Sequence, residues 1–277
     1  MARLDRENTA KFWVDPQLGG VSLLRAAFRT LSFAPHVHDE LVIAVTERGA
    51  GRCVTRGVAD VGAPRTIMVF NPGEPHSGGV AGDAGWHYRG LYVSRSALRR
   101  VSASIDARPG AVPYFRSSVH DDGPLAQLLL RAHGTLEARE SRIARETEFL
   151  SAIAALFERH GDHRPRLHPV GREKAPVSRA VEYMRANLDG DLALADLAGH
   201  ASLSPFHFVR SFRKATGLPP HAYLTQLRLH RARRLLAEGK APTDVALAVG
   251  FYDQSHLIKH FKRAYGITPG QYAAAVH

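Results

Sequence analysis

Residues 207–223 read HFVRSFRKATGLPPHAY, and residues 256–272 read HLIKHFKRAYGITPGQY. Six of the seventeen aligned positions are identical: His207/His256, Phe212/Phe261, Ala215/Ala264, Gly217/Gly266, Pro220/Pro269 and Tyr223/Tyr272. Ordinary composition gives roughly one. Most other positions exchange like for like: Phe208/Leu257, Val209/Ile258, Arg210/Lys259, Arg213/Lys262, Lys214/Arg263 and Leu218/Ile267. The chain therefore carries one basic, helix-like segment twice.

Each copy is punctuated as a helix-turn-helix. In the first, Asp191 is placed to cap a helix starting near Leu192. Ser204 then caps a second helix that has Pro205 at its first position, where the missing N–H costs no bond, and Gly217 stops it. In the second, Thr243 is expected to cap DVALAV, Gly250 to break it, Asp253 to cap QSHLIKHFKRAY, and Gly266 to end it. Phe208, Phe212 and Ala215 fall on one helical face, as do Leu257, Phe261 and Ala264, and all six are expected in the core. Cations occupy the other faces: Arg210, Arg213 and Lys214, then Lys259, Lys262 and Arg263. Two equivalent basic helices suggest two equivalent anionic sites, and successive major grooves of DNA supply them about 34 Å apart. Between the copies, residues 219–244 predict a helix of about five turns, long enough to hold the units in register.

The bulk numbers agree with a polyanion partner. Residues 171–277 hold 15 Lys+Arg against 8 Asp+Glu, so +7 of the formal net charge of +11 lies there. Cys53 is the only cysteine, which excludes an internal disulfide and suits a reducing compartment. The first twenty residues lack the apolar core of a signal peptide, and no apolar run suits a bilayer. A cytoplasmic protein without a membrane partner is expected.

The N-terminal part has a different period. Short apolar runs, 41–45, 66–70 and 90–93, are separated by the turn stretches 47–51, 61–64, 71–75 and 82–85, the pattern of a small β-sandwich or barrel. From about residue 121 the period becomes helical. Leu125, Leu128, Leu129 and Ala132 form one stripe, and Phe149, Leu150, Ile153, Leu156 and Phe157 another. The segment 121–160 is expected as two helices that pack on the β-domain or dimerise. Residues 161–176, with three prolines and two glycines, form the expected linker.

Residues 178–273 resemble the DNA-binding domain of the AraC/XylS transcription regulators, which has two helix-turn-helix units joined by a long helix. The motif runs from Asp244 to Tyr272, through Val245-Ala246, Gly250-Phe251, Asp253-Gln254-Ser255-His256, Phe261-Lys262, Gly266 and Thr268-Pro269. Leu257 and Ala273 depart from the commoner residues. The resemblance implies base-facing roles for Phe206, Val209 and Arg210 in the first unit, and for Gln254, Ser255, His256, Ile258 and Lys259 in the second. Their chemistry suits this: Arg210 matches a guanine edge, Gln254 an adenine, and Val209 and Ile258 a thymine methyl. Lys214, Lys262 and Arg263 suit phosphates, which fix register without reading sequence, and Arg213 lies beside Arg210 and Lys214 as a further expected DNA-binding residue.

The stretch 34–54 followed by 68–79 resembles the cupin-like sensing domain of these regulators, where a small barrel usually binds an effector. His36, His38 and Glu40 alternate, so on a strand they share a face, and His76 follows the NPGEP turn. With Trp86 and Tyr88 they are the expected effector-binding residues. His36, His38 and His76 could also hold a divalent metal, although Glu40 follows His38 too soon for the metal-cupin spacing. The expected architecture is α+β in two domains. Residues 1–160 form a cupin-like β-barrel with helices, and 177–277 an all-α AraC-type domain. The expected function is a sequence-specific transcription regulator, with promoter DNA and a small-molecule effector as partners. RNA polymerase and a second copy of the chain are further candidate partners. A metal-dependent cupin enzyme fused to a DNA-binding domain is the alternative.

Overall fold

The computed structural model describes residues 7–105, 112–167, 169–170 and 174–276. The expected linker, 161–176, includes residues 168 and 171–173, which lie outside the described residues, as do the ends of the two expected domains at 1–6 and 277. The chain forms two compact units, one of residues 1–138 and 148–168, the other of 139–147 and 169–277.

The first unit contains β1 (Asn8–Val14), β2 (Val21–Phe28), β3 (Ser32–His36), β4 (Leu41–Gly49), β5 (Gly51–Thr55), β6 (Val58–Gly62), β7 (Thr66–Phe70), β8 (His76–Val80), β9 (Trp86–Val93), α1 (Arg95–Ile105), β10 (Val119–Asp121) and α2 (Gly123–Glu137). Helix α3 (Arg142–His160) follows. All paired strands are antiparallel, in a six-stranded sheet ordered β1-β2-β9-β4-β7-β10 and a four-stranded sheet ordered β3-β8-β5-β6. Strand β7 is buried at all five positions, and β4 from Leu41 to Thr46, because both faces of the larger sheet are covered. Alternation then sorts the side chains. Val42, Ala44, Met68 and Phe70 join Phe28, Cys53, Trp86 and Tyr88 in one inner cluster. Helix α2 packs against β4, β7 and β9, burying Leu125, Ala126, Leu129, Ala132, His133 and Leu136. Asp122 caps it by accepting from the Leu125 amide.

The second unit contains α4 (Lys174–Ala186), α5 (Leu194–Ala201), α6 (Pro205–Thr216), α7 (Pro220–Ala237), α8 (Pro242–Ala248), α9 (Gln254–Tyr265) and α10 (Pro269–Val276). Ser204 and Asp253 cap α6 and α9 through side-chain oxygens that accept the His207 and His256 amides. Gly217 and Gly266 end these helices at the same left-handed φ, 78°. The aromatic pair at each exit is also repeated, Phe212 against Tyr223 at 5.4 Å and Phe261 against Tyr272 at 5.8 Å between ring centroids.

Three local expectations are corrected. Helix α5 starts at Leu194, two residues after the expected start, without a side-chain cap from Asp191. Its first amide instead donates to the Glu146 carboxylate, an anion placed where the helix dipole favours one. Helix α8 starts at Pro242 and takes no side-chain cap from Thr243, because proline already fills the first turn. Ala215 and Ala264 are exposed, because they stand in the last turn, beyond the reach of the core residues Phe208, Phe212, Leu257 and Phe261.

Candidate nucleic-acid interface and ligand cavity

The two helix-turn-helix units are α5–α6 and α8–α9. On α9 the candidate base-facing residues are presented: Gln254, Ser255 and Lys259 are exposed, and His256 and Ile258 half-buried. Lys262 and Arg263 are exposed in the last turn. On α6, Arg213 and Lys214 are exposed and Arg210 is half-buried, with its guanidinium 5.7 Å from the Phe206 ring centroid. Phe206 and Val209 depart from the sequence reading. They are 7 % and 6 % exposed, so neither offers a surface to a base edge in this conformation. Apolar side chains gain by such cover.

Helix α7 joins the units through a residue that the sequence reading placed nowhere. Arg228 is buried in mid-helix, its Nε donating to the Leu188 carbonyl and its Nη2 to the Gly190 carbonyl, each at 2.7 Å. Burial pushes its pKa down to about 10, partly offset by Asp191 and Asp189, so it stays charged near neutrality. Gly250, at φ +84°, lies against the same joint. A Cβ there would come within 2.4 Å of the Leu188 oxygen and 2.7 Å of the Arg228 guanidinium.

Residues 139–147 contribute a carboxylate to α9. Glu140 Oε2 lies 2.9 Å from His256 Nε2 and 3.5 Å from His260 Nε2, and Oε1 accepts from Lys259. Hydrogen bonds from His256 and then His260 hold the Glu140 carboxyl well below the usual carboxylate range.

The first unit holds a cavity of about 390 Å³. Of the expected effector residues, His36, His38, His76, Trp86 and Tyr88 line it, and Glu40 does not. Strand β3 ends at His36, so His38 and Glu40 lie on a loop outside strand alternation; His38 is kept at the cavity by its contact with His36, and among the described residues Glu40 has no such tie to the cluster. Cross-strand register builds the histidine cluster, with His36 directly opposite His76 in the β3–β8 pair. The Nδ1–H of His36 donates to the Ala34 carbonyl at 2.7 Å, and that of His76 to the Glu74 carbonyl at 3.0 Å. His36 and His38 meet through Nε2 atoms at 3.1 Å. Burial, then the neighbouring His36, lowers the His38 pKa, and burial is the main cause lowering that of His76. The three rings offer nitrogens within 4.8 Å of one another. Two rings have carbonyl-anchored Nδ1 atoms, so the set fits a divalent ion that prefers imidazole.

The rest of the wall is aromatic. Trp86 stacks on Tyr88 at 4.1 Å and donates from Nε1 to Thr46. It crosses β5 because position 51 is glycine; a Cβ there would meet the indole at 2.2 Å. Phe28, Phe33, Phe70, Tyr92, Arg52 and Cys53 also line the space. Burial pushes the Cys53 thiol up to about 11, so it acts as an apolar wall element.

Two basic helix-turn-helix units joined by a long helix define a DNA-binding protein. The aromatic-walled cavity of the β-domain defines a small-molecule binding module. Residues 18–153 match the family described as AraC-like ligand binding domain, and residues 197–275 the one described as helix-turn-helix domain. An uncharacterized HTH-type transcriptional regulator of Bacillus subtilis, YbfI, is 30 % identical over 225 residues, 81 % of each chain. The arabinose operon regulatory protein of Salmonella typhimurium is 26 % identical over 242 residues, covering 84 % of this chain and 83 % of that one. The crystal structure of the DNA-binding domain of AdpA, in complex with a target DNA, is 33 % identical over 36 % of this chain and 91 % of that one, with a TM-score of 0.35. The chain belongs to the AraC family of DNA-binding transcription regulators with an N-terminal ligand-binding domain.

Proposed function

We propose that this regulator reads promoter DNA with α6 and α9 in successive major grooves, and that a small molecule in the cavity of the first unit modulates that reading. The supporting observation is the duplicated frame. Two helices with equivalent caps, equivalent left-handed exits and equivalent aromatic pairs carry different outward residues. Gln254, Ser255, His256, Ile258 and Lys259 read one half-site. Arg210 reads the other, joined by Phe206 and Val209 once these are uncovered. Arg213, Lys214, Lys262 and Arg263 hold phosphates. The sensing part is residues 1–160 and the DNA-binding part 177–277, with 161–176 between them. Dimerisation through 121–160, contact with RNA polymerase and a cytoplasmic location are carried by the family resemblance; no helix among the described residues is long and apolar enough to cross a membrane.

The cavity chemistry supports one effector class. Its aromatic wall suits a largely apolar body, and the histidine cluster suits a polar or metal-chelating group at one end. A regulatory role is favoured over an enzymatic one. The relatives that align over four-fifths of the chain are named regulators.

The base-reading roles are tested with an operator selected from random duplexes. Arg210→Ala and Lys259→Ala should each weaken operator binding by about tenfold or more, and non-specific binding by less, at one salt concentration. Equal losses on both DNAs reject base reading.

A further inference from the structure

We propose that Glu140, His256 and His260 form a site for a divalent transition-metal ion of the zinc class, and that the filled site withholds α9 from DNA. His256 and His260 stand four residues apart on α9, so their rings share one face on consecutive turns. Their Nε2 atoms are 3.0 Å apart, and Glu140 Oε2 is 2.9 Å from one and 3.5 Å from the other. Three ligand atoms with these separations surround one point. They approach the edge of about 3.3 Å that a tetrahedron with zinc-ligand bonds of about 2.0–2.1 Å requires. A dication at that point satisfies all three donors at once. Two imidazoles and one carboxylate are a donor set for zinc or a neighbouring ion, with the fourth position left for water.

The second carboxylate oxygen, Oε1, already pairs with Lys259. Ligation through Oε2 alone leaves that ion pair intact. The other nitrogen of His256, Nδ1, is buried and has no hydrogen-bond partner among the described residues. No carbonyl therefore fixes the tautomer of this ring, and ligation through it is weaker than through an anchored imidazole. Its consequence for DNA follows from position. His256 and Lys259 are two of the five residues assigned to base reading on α9, and Glu140 occupies both. The metal site stands without the DNA-reading assignment; only the gating rests on it.

The test titrates metal-free, full-length protein with Co2+ alone. The starting protein is a His36→Ala/His76→Ala variant, which removes the histidine cluster of the first unit. One equivalent should bind with the ligand-field bands of tetrahedral Co2+, and Glu140→Gln or His260→Gln should weaken it at least tenfold. In the otherwise unaltered protein the same substitutions should lower the stoichiometry by one equivalent, with ellipticity confirming the fold. Indistinguishable isotherms with and without these substitutions overturn the site. A saturating mixed-sequence duplex should lower the Co2+ affinity at this site about tenfold, since coupling between two ligands is reciprocal. Unchanged Co2+ affinity on DNA overturns the gate. Duplex binding measured without metal separates that failure from failure of DNA binding itself.

Discussion

Replacing Arg228 by methionine removes the tie between α7 and the loop before α5 while keeping an apolar stem of similar reach. Two hydrogen bonds of 2.7 Å from a buried guanidinium are lost, at about 1.5–3 kcal/mol each for charged donors. The Leu188 and Gly190 carbonyls lose these donors. Part of the loss is offset, because the variant no longer buries a charge; burial is the main reason the guanidinium sits at about 10. A net destabilisation of about 3 kcal/mol follows, confined to the second unit. The assay uses the distribution of tryptophan. The chain has two, Trp13 and Trp86, both in the first unit. In urea, the fluorescence transition therefore reports the first unit, while far-ultraviolet ellipticity also reports the second. With a slope of about 2 kcal/mol per molar, the helical transition should move down by about 1.5 M and the fluorescence midpoint should stay. A helical midpoint shifted by less than about 0.3 M, or an equal shift in both signals, would refute the reasoning.

Two further outcomes concern the first unit. His133 is buried, accepts from Arg89 at Nδ1 and donates from Nε2 to the Leu24 carbonyl. Burial, then Arg89, pushes its pKa down to about 4. The unfolded chain takes this proton first, so the His133 contribution to stability is complete above about pH 6.5 and falls as pH drops towards 4, by about 2 kcal/mol at pH 5. Tryptophan-monitored denaturation across that range checks it, and His133→Gln should reduce the slope by this amount, leaving the share of His120, which burial likewise pushes down to about 4. Gly51→Val drives a side chain into the Trp86 indole and should cost about 1–3 kcal/mol; an unchanged Trp86 environment and fluorescence midpoint would contradict the described cavity wall.

Legibility differed by part, for physical reasons. Second-unit helix ends showed where a local residue acts alone: Ser204, Asp253, Gly217 and Gly266 need only their own turn. Asp191 misled because the α5 amide is met by Glu146, a partner 48 residues away that no local pattern signals. Arg228 was passed over because a charged residue in a basic helix reads as surface. Only the carbonyls of Leu188 and Gly190 reveal it as a joint. In the β-domain, alternation and the turn before His76 brought out three histidines and two aromatic residues of the cavity. Glu40 was misplaced because the strand stops at His36. Arg52, Cys53 and Phe70 needed the register of paired strands, which sequence spacing does not supply. The cover over Phe206 and Val209, and the reach of Glu140 to α9, are likewise tertiary and leave no trace in a helical pattern.

The central claim is that two helices of one chain, held in fixed register by α7, read two adjacent major grooves. The most direct measurement is affinity for the selected operator with five base pairs inserted between its half-sites. Half a helical turn places the second groove on the far side of the duplex. Affinity should fall about a hundredfold or more, to that of a single half-site. Affinity that changes by less than about threefold would contradict it, because the two helices would then not be reading DNA as one rigid pair.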